Sequence, residues 1–257
     1  MWDETKADRV FVYQVYCPPT VEQVITSGGS AFVGEVDETT VMKYPLAPGG
    51  GSAFVGEVDE PTVMKYPLAP GGDMSRLDIE KKLLEIVGPH ERIIGLKSFS
   101  ADGLYLERAV NGTLAHYLLE SDNESPLLQQ RISWCREFAE AVAWIHFRSV
   151  LHCDIQPTNL LLDDELHIKL EPTRFYCPRA DPFDADIKTD LFELGCTIYL
   201  IMMGHAVFPE IADGEEGWYE KVQEKLEKQQ FTQDSHACSA ITSKCWLKEY
   251  ESAEELL

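Results

Sequence analysis

The sequence predicts an α+β chain in which a small β-rich part precedes a larger helical part. Short runs rich in β-branched and aromatic residues, separated by glycine-rich or acidic turns, fill residues 21–109. From about Ala115 onward the apolar residues recur with the helical period. A chain of 257 residues with 44% apolar residues is long enough for one domain of two lobes or for two small domains, and has ample apolar surface for a core. We therefore divide it into an extension (1–20), a β-rich lobe (21–109) and a helical lobe (110–257).

The β-rich lobe contains a tandem duplication. Residues 28–49 recur at 50–71, and the replacement of Thr39 by Pro61 is the only change. Each copy holds the runs AFVGEV and TVMKYP around an acidic turn, which predicts one β-hairpin per copy. A preceding strand, VEQVIT at 21–26, adjoins only the first copy, and two copies are too few for a solenoid. We expect one copy to be surplus to the lobe.

A helix and two strands should complete the first lobe. Residues 74–88 carry Leu77, Leu84 and Val87 at helical spacing, with Asp73 or Ser75 as the expected N-cap and Gly88 as the stop. The segments RIIGLKSF (92–99) and GLYLERA (103–109) are typical of strands.

The second lobe should be built on two long helices. The segment 127–147 places one set of apolar residues along a single helical face. These residues are Ile132, Cys135, Phe138, Ala139, Val142 and Ala143. The apolar run 194–204, LGCTIYLIMMG, is shorter than the roughly 20 residues that span a bilayer, and we interpret it as a buried helix.

Charge and cysteine content restrict partners and compartment. The formal net charge of −22 repels nucleic acid and anionic membrane surfaces, so neither is an expected partner. The seven cysteines form no C-x-x-C pair and cannot all be paired internally, which favours a reducing compartment. The first ten residues show no secretory h-region, so we expect a cytoplasmic protein.

Two features of the first lobe could bind phosphate. The turn within SGGSAFVGEV (27–36) can bring backbone N–H groups close to an anion, although by itself the segment is better explained as a plain hairpin turn. The lysine of VMK, at Lys43 and again at Lys65, lies in an apolar strand and needs an anionic partner. Glu80 on the following helix is the candidate, and the alternative is an edge-strand lysine that faces water.

The segment HCDIQPTN places His152, Asp154 and Asn159 at the spacing of the protein kinase catalytic loop. The strand-like LLL that follows is typical of the same loop. From about residue 21 to the end, the chain resembles the eukaryotic protein kinase domain of the serine/threonine type. The resemblance implies a bilobal protein-kinase-like fold, with Asp154 as catalytic base and Asn159 as magnesium ligand.

Other stretches are similar to the same family in the same order. IEKKLLEIVG resembles the C-helix, with Glu80 paired to the strand lysine, and KTDLFELG resembles the F-helix anchored by Asp190. The resemblance further implies a nucleotide-binding set in the first lobe. Its members are the phosphate-covering residues Gly28, Gly29, Gly34 and Val36, the gatekeeper Leu106, and the adenine-binding backbone of Glu107 and Ala109.

One family element is missing. The position of the metal-binding DFG aspartate, thirteen residues after Asn159, holds Pro172. We estimate that roughly fifteen to twenty family positions are absent between Leu170 and Thr173. Glu171 is the one acid beside this gap, and the proline after it disfavours its use as a substitute metal ligand. In the catalytic loop, Cys153 and Gln156 replace the usual arginine and lysine.

The duplication leaves two candidates for the phosphate-binding lysine. Lys43 is our first choice because its hairpin directly follows the strand at 21–26, and an insertion after it adds only about 1 kcal/mol of loop-closure entropy. Lys65 is the alternative, since it lies fifteen residues before Glu80, closer to the family spacing.

The resemblance implies ATP-dependent phosphoryl transfer to a protein serine or threonine, with ATP and Mg²⁺ as cofactors. Loss of the metal aspartate should slow transfer by about a thousandfold or more. One alternative is a catalytically inactive pseudokinase that binds protein partners. Another is that the gene encodes an intact kinase, and that a coding stretch between the codons for Leu170 and Thr173 is missing from the translated sequence.

Overall fold

A computed structural model describes most of the chain. The described ranges are 24–28, 31–37, 40–44, 54–59, 62–66, 74–101, 103–120, 125–153, 155–171, 186–211 and 228–257, with residues 217, 221–222 and 224–225. Within residues 24–59 only the backbone is described.

The β-rich lobe is one antiparallel sheet, as the alternating short runs predict. It has the strand order β1-β2-β3-β4-β5-β7-β6. The strands are β1 (Val24–Gly28), β2 (Ala31–Asp37), β3 (Thr40–Tyr44), β4 (Phe54–Asp59), β5 (Thr62–Tyr66), β6 (Leu96–Phe99) and β7 (Leu104–Glu107).

Both copies of the duplication belong to this sheet. The hairpins β2–β3 and β4–β5 have the same register, with Phe32 opposite Tyr44 and Phe54 opposite Tyr66. They meet through the pair Lys43 and Val55, since the free edge of one hairpin offers backbone groups to the next. Both copies thus lie in the sheet, and the expectation that one of them is surplus to the lobe stays a prediction.

Helix α1 (Ser75–Val87) comes between β5 and β6, where the sequence predicts a helix. Gly88 ends the helix with φ +70°, a conformation that favours glycine. The N-cap is Met74, which makes no side-chain capping bond, so the expectation of Asp73 or Ser75 as cap is wrong. Leu77, Leu84 and Val87 are buried in the core, as their spacing predicts.

The helical lobe contains α2 (Leu114–Leu119), α3 (Leu128–Phe147), α4 (Ile187–Met203) and α5 (Ser239–Trp246). The predicted face of α3 is buried except for Ile132, which is 42% exposed. Helix α4 is buried along most of its length, as predicted. Gly195 permits the close approach of α5, because a Cβ there would lie 2.4 Å from Cβ of Cys245.

A small hairpin of the second lobe is hydrogen-bonded to the first lobe. Strands β8 (Leu160–Leu162) and β9 (Ile168–Leu170) pair after a 3₁₀ turn at Pro157–Asn159. The Leu170 amide donates to the carbonyl of Arg92 at 2.8 Å, and its carbonyl accepts from the Ile94 amide at 3.0 Å. The residue after β9 is thereby brought to the sheet of the first lobe. No helix in the described ranges is long and apolar enough to cross a membrane.

Candidate active site

Lys65 is the buried cation of the site. It lies on β5, is 9% exposed, and its Nζ lies 2.7 Å from Oε1 of Glu80 on α1. The Lys65 ammonium also forms an ion pair with the carboxylate of Glu171. Gly103 allows this strand to pack closely, because a Cβ at that position would lie 2.2 Å from the Lys65 carbonyl oxygen.

The three charges strongly affect one another. Burial alone lowers the pKa of Lys65, but Glu171 and Glu80 together outweigh it and raise the pKa above its usual value. Lys65 is therefore an ammonium at neutral pH. The pKa of Glu80 is raised, mainly by burial and further by the charge of Glu171, while Lys65 opposes the shift.

The structure forms the predicted ion pair of Glu80 with Lys65, the second of the two candidate lysines. Lys43 lies on β3, which β4 separates from β5, and its side chain is outside the described part of the chain. Strand β5 is the one that pairs with β7 and lies next to α1 in the sequence. This favours Lys65 over our first choice, Lys43, and the phosphate-binding role of either lysine stays a prediction.

Glu171 is fixed by its backbone on both sides. Its amide donates to the carbonyl of Asn159 at 3.0 Å, and its carbonyl accepts from Nε2 of His152 at 3.0 Å. Sequence reasoning identified Glu171 as the acid beside the gap but not its contact with Lys65. Sequence spacing carries no signal for this contact, because it forms only when β9 docks beside the first lobe.

Asp190 anchors the catalytic-loop segment. This fully buried carboxylate accepts hydrogen bonds from the amides of His152 at 2.7 Å and Cys153 at 2.8 Å, and contacts Nε2 of His146 at 2.9 Å. Glu193 on the same helix accepts from the amide of Ile155 at 2.8 Å. Asp154, the predicted base, lies between these anchored residues but outside the described ranges, so its role stays a prediction.

The described residues do not form a magnesium site. Asn159 is buried in the 3₁₀ turn, and the nearby acid Glu171 has its carboxylate on the Lys65 ammonium. In the ranges that the structure describes, no three His, Cys, Asp or Glu side chains meet as metal ligands would. Magnesium prefers several oxygen ligands at octahedral positions, which this donor set does not supply.

The predicted adenine-binding segment lies beside the lysine strand. Leu106 is 1% exposed and pairs with Val63 of β5. The amide of Glu107 donates to the carbonyl of Gly95 at 2.7 Å, and its carboxylate accepts from Lys169 at 2.8 Å. The carbonyl of Ala109 accepts from the Gly112 amide at 3.2 Å. Adenine binding by Glu107 and Ala109 stays a prediction.

The glycine-rich turn is described only in part. Strands β1 and β2 pair antiparallel, with Gly28 opposite Ala31 and Gly34 opposite Val24. Val36 lies near the end of β2, and Gly29 is outside the described residues. The hairpin predicted here is therefore present, whereas its contact with phosphate remains untested.

Comparison with known families identifies the likeness that the motifs predict. The family described as protein tyrosine and serine/threonine kinase matches residues 75–173. This range begins with α1, ends three residues after β9, and contains Glu80, Leu106 and Asn159.

The curated relatives are serine/threonine kinases and related enzymes. Serine/threonine-protein kinase PLK4 of Drosophila grimshawi is 24% identical over 144 residues, covering 46% of this chain and 19% of the fly protein. The phosphorylase b kinase gamma catalytic chain, liver/testis isoform, of Homo sapiens is 33% identical over 102 residues, covering 38% of this chain and 25% of the human protein. The chain thus spans a quarter or less of these relatives. The resemblance to the protein kinase domain and the bilobal kinase-like fold are confirmed.

Proposed function

We propose that this protein-kinase-like domain binds ATP and transfers its terminal phosphoryl group to protein serine or threonine side chains at a strongly reduced rate. The observation that carries the proposal is the buried Lys65–Glu80 ion pair at 2.7 Å, on the strand next to the predicted adenine segment. A lysine held in this way is positioned to bind phosphate oxygens.

The reduced rate follows from the missing metal-binding aspartate. Kinases use a metal ion to neutralise charge on the transferred phosphoryl group, and the metal-binding aspartate of the family is replaced by Pro172. The acid beside it, Glu171, is engaged with Lys65. Among the described residues Asn159 is the one that matches a magnesium ligand of the family, and a single ligand does not make a magnesium site.

Transfer of labelled γ-phosphate to a generic protein substrate tests the activity. We expect a rate about a thousandfold below that of an intact kinase, a loss of roughly 4 kcal/mol of transition-state stabilisation. The signal should disappear in Asp154→Asn and in Lys65→Met. Activity that survives both substitutions would come from a contaminating kinase and would reject the proposal.

The engagement of Glu171 with Lys65 favours a second candidate, a pseudokinase that binds protein partners without catalysis. Such a protein would show no transfer above the Asp154→Asn background. If it retains the nucleotide site, ATP should raise its melting temperature with little dependence on magnesium. A rise in melting temperature with ATP that depends on magnesium, together with measurable phosphoryl transfer, would support the enzyme over the pseudokinase.

The genomic DNA between the codons for Leu170 and Thr173 tests whether an intact kinase is encoded. The alignment with PLK4 of Drosophila grimshawi is 144 residues long, whereas 46% of this 257-residue chain amounts to fewer residues than that. The fly kinase therefore has residues in the aligned region that this chain lacks. An unread coding stretch with a DFG motif at this point would restore the metal aspartate. Uninterrupted coding sequence would eliminate this explanation.

A further inference from the structure

Among the residues that the structure describes, the buried charges in contact with Lys65 do not balance. One ammonium is in contact with two carboxylates, and the side chains of Lys65, Glu80 and Glu171 are only 11%, 16% and 14% exposed. Within the described part of the chain, these two glutamates are the ion-pair partners of Lys65. When both are ionised, the cluster carries an excess negative charge that water screens poorly.

Glu171 cannot easily leave this position. Its amide donates to the carbonyl of Asn159, and its carbonyl accepts from Nε2 of His152. The preceding residue, Leu170, is held as well, because its amide donates to the carbonyl of Arg92 and its carbonyl accepts from the amide of Ile94. The carboxylate is therefore presented to Lys65 by a fixed backbone, and only side-chain rotation can remove it.

We propose that Glu171 is a specificity-determining residue that weakens the binding of the ATP phosphates at Lys65, so that the nucleoside part of the ligand supplies most of the affinity. The inference rests on the proposed function, because it needs an adenine-binding segment beside β5. A phosphate that approaches Lys65 must displace a carboxylate already bonded to the ammonium, and it adds negative charge to a cluster that has an excess. An uncharged ribose or base meets neither obstacle.

The wild-type protein alone provides the first test. Affinities for adenosine, AMP, ADP and ATP are measured by isothermal titration calorimetry at neutral pH with a metal chelator present. We expect ATP to bind no more tightly than adenosine. An affinity that increases with each phosphate, to about tenfold or more for ATP, would overturn the proposal.

The isosteric variant Glu171→Gln provides the second test. Removing the charge leaves Lys65 with Glu80 alone, so the affinity for ATP should rise about tenfold while that for adenosine changes less than about twofold. Glu165→Gln is the matched control, since Glu165 lies on the same β8–β9 hairpin with a side chain that is 78% exposed. Glu165→Gln should leave the affinities for adenosine, AMP, ADP and ATP unchanged. If Glu171→Gln does not fold, the wild-type series decides the question.

Tripolyphosphate, which has no adenine, separates this inference from the proposed function. Tripolyphosphate binding gained in Glu171→Gln without any adenosine binding would support the role of Glu171 and reject the nucleotide site. Adenosine binding with no effect of Glu171→Gln on ATP or tripolyphosphate would support the nucleotide site and overturn the role of Glu171. Absence of binding by all three ligands to both proteins would overturn both.

Discussion

Two buried carboxylate centres of the helical lobe differ in how their charge is compensated. Asp190 accepts hydrogen bonds from two backbone amides and contacts a histidine, and no second acid contacts it in the described structure. Glu171 instead shares a single lysine with Glu80. The first centre satisfies one anion with several donors, whereas the second places two anions around one cation.

This difference separates a structural role from a binding role. A buried anion surrounded by fixed amides is stable in one geometry and has no reason to exchange partners. A cluster with excess charge can gain stability from a proton, or from the loss of one acid, and is therefore the place where ligands and pH can act. The acids Glu171 and Asp190 of the two centres both follow β9 in the sequence.

Removal of Asp190 should have the largest effect on stability. Asp190→Ala leaves the amides of His152 and Cys153 without their acceptor in a fully buried site, and each such group costs about 1–3 kcal/mol. We expect the free energy of unfolding, measured in urea, to fall by about 4 kcal/mol. Glu165→Ala, at an exposed carboxylate, should change it by less than about 0.5 kcal/mol. A loss for Asp190→Ala as small as that control would contradict the anchoring role.

Removal of both acids at Lys65 should have the next largest effect. Either Glu80→Gln or Glu171→Gln leaves one carboxylate on the lysine, so each should cost about 1 kcal/mol or less. The double variant leaves a buried ammonium without a charged partner among the described residues and should lose about 3 kcal/mol. Strictly additive losses in this double-mutant cycle would show that the acids do not share Lys65. Lys65→Met in the double variant should recover most of the loss.

A carboxylate at the helix surface gives a reference for both centres. Asp186 caps α4 through a capping box, in which its side chain accepts from the Thr189 amide at 2.8 Å. Asp186→Ala should lower the unfolding free energy by about 1 kcal/mol, while Asp186→Asn, which keeps an acceptor, should lose less. Although burial opposes it, hydrogen bonding to Thr189 lowers the pKa of Asp186, so its stabilisation is present above pH 3.8 and disappears as the pH falls further.

The sequence predicted the structural centre better than the charged cluster. Local patterns located α1, α3 and α4, and the family motifs singled out Asp190 as an anchor of the large lobe and Glu80 as the partner of a strand lysine. The choice between Lys43 and Lys65 depended on how two nearly identical hairpins share a sheet, which their shared local sequence does not specify. The contact of Glu171 depended on the docking of β9, a tertiary event that leaves no periodic signal in the chain.

The pH dependence of stability offers the smallest and most specific test of the charged cluster. The folded protein binds a proton at Glu80 more tightly than the unfolded chain, because burial and Glu171 raise its pKa from the ordinary 4.5 against the opposing charge of Lys65. A group with a raised pKa stabilises the folded state at low pH and loses that contribution as the pH rises through its folded-state value. The difference in unfolding free energy between wild type and Glu80→Gln should therefore shift in favour of wild type as the pH falls towards 4.5. Glu165→Gln should show no such trend, and a trend of opposite sign for Glu80→Gln would mean that Lys65, rather than Glu171, dominates the field at Glu80.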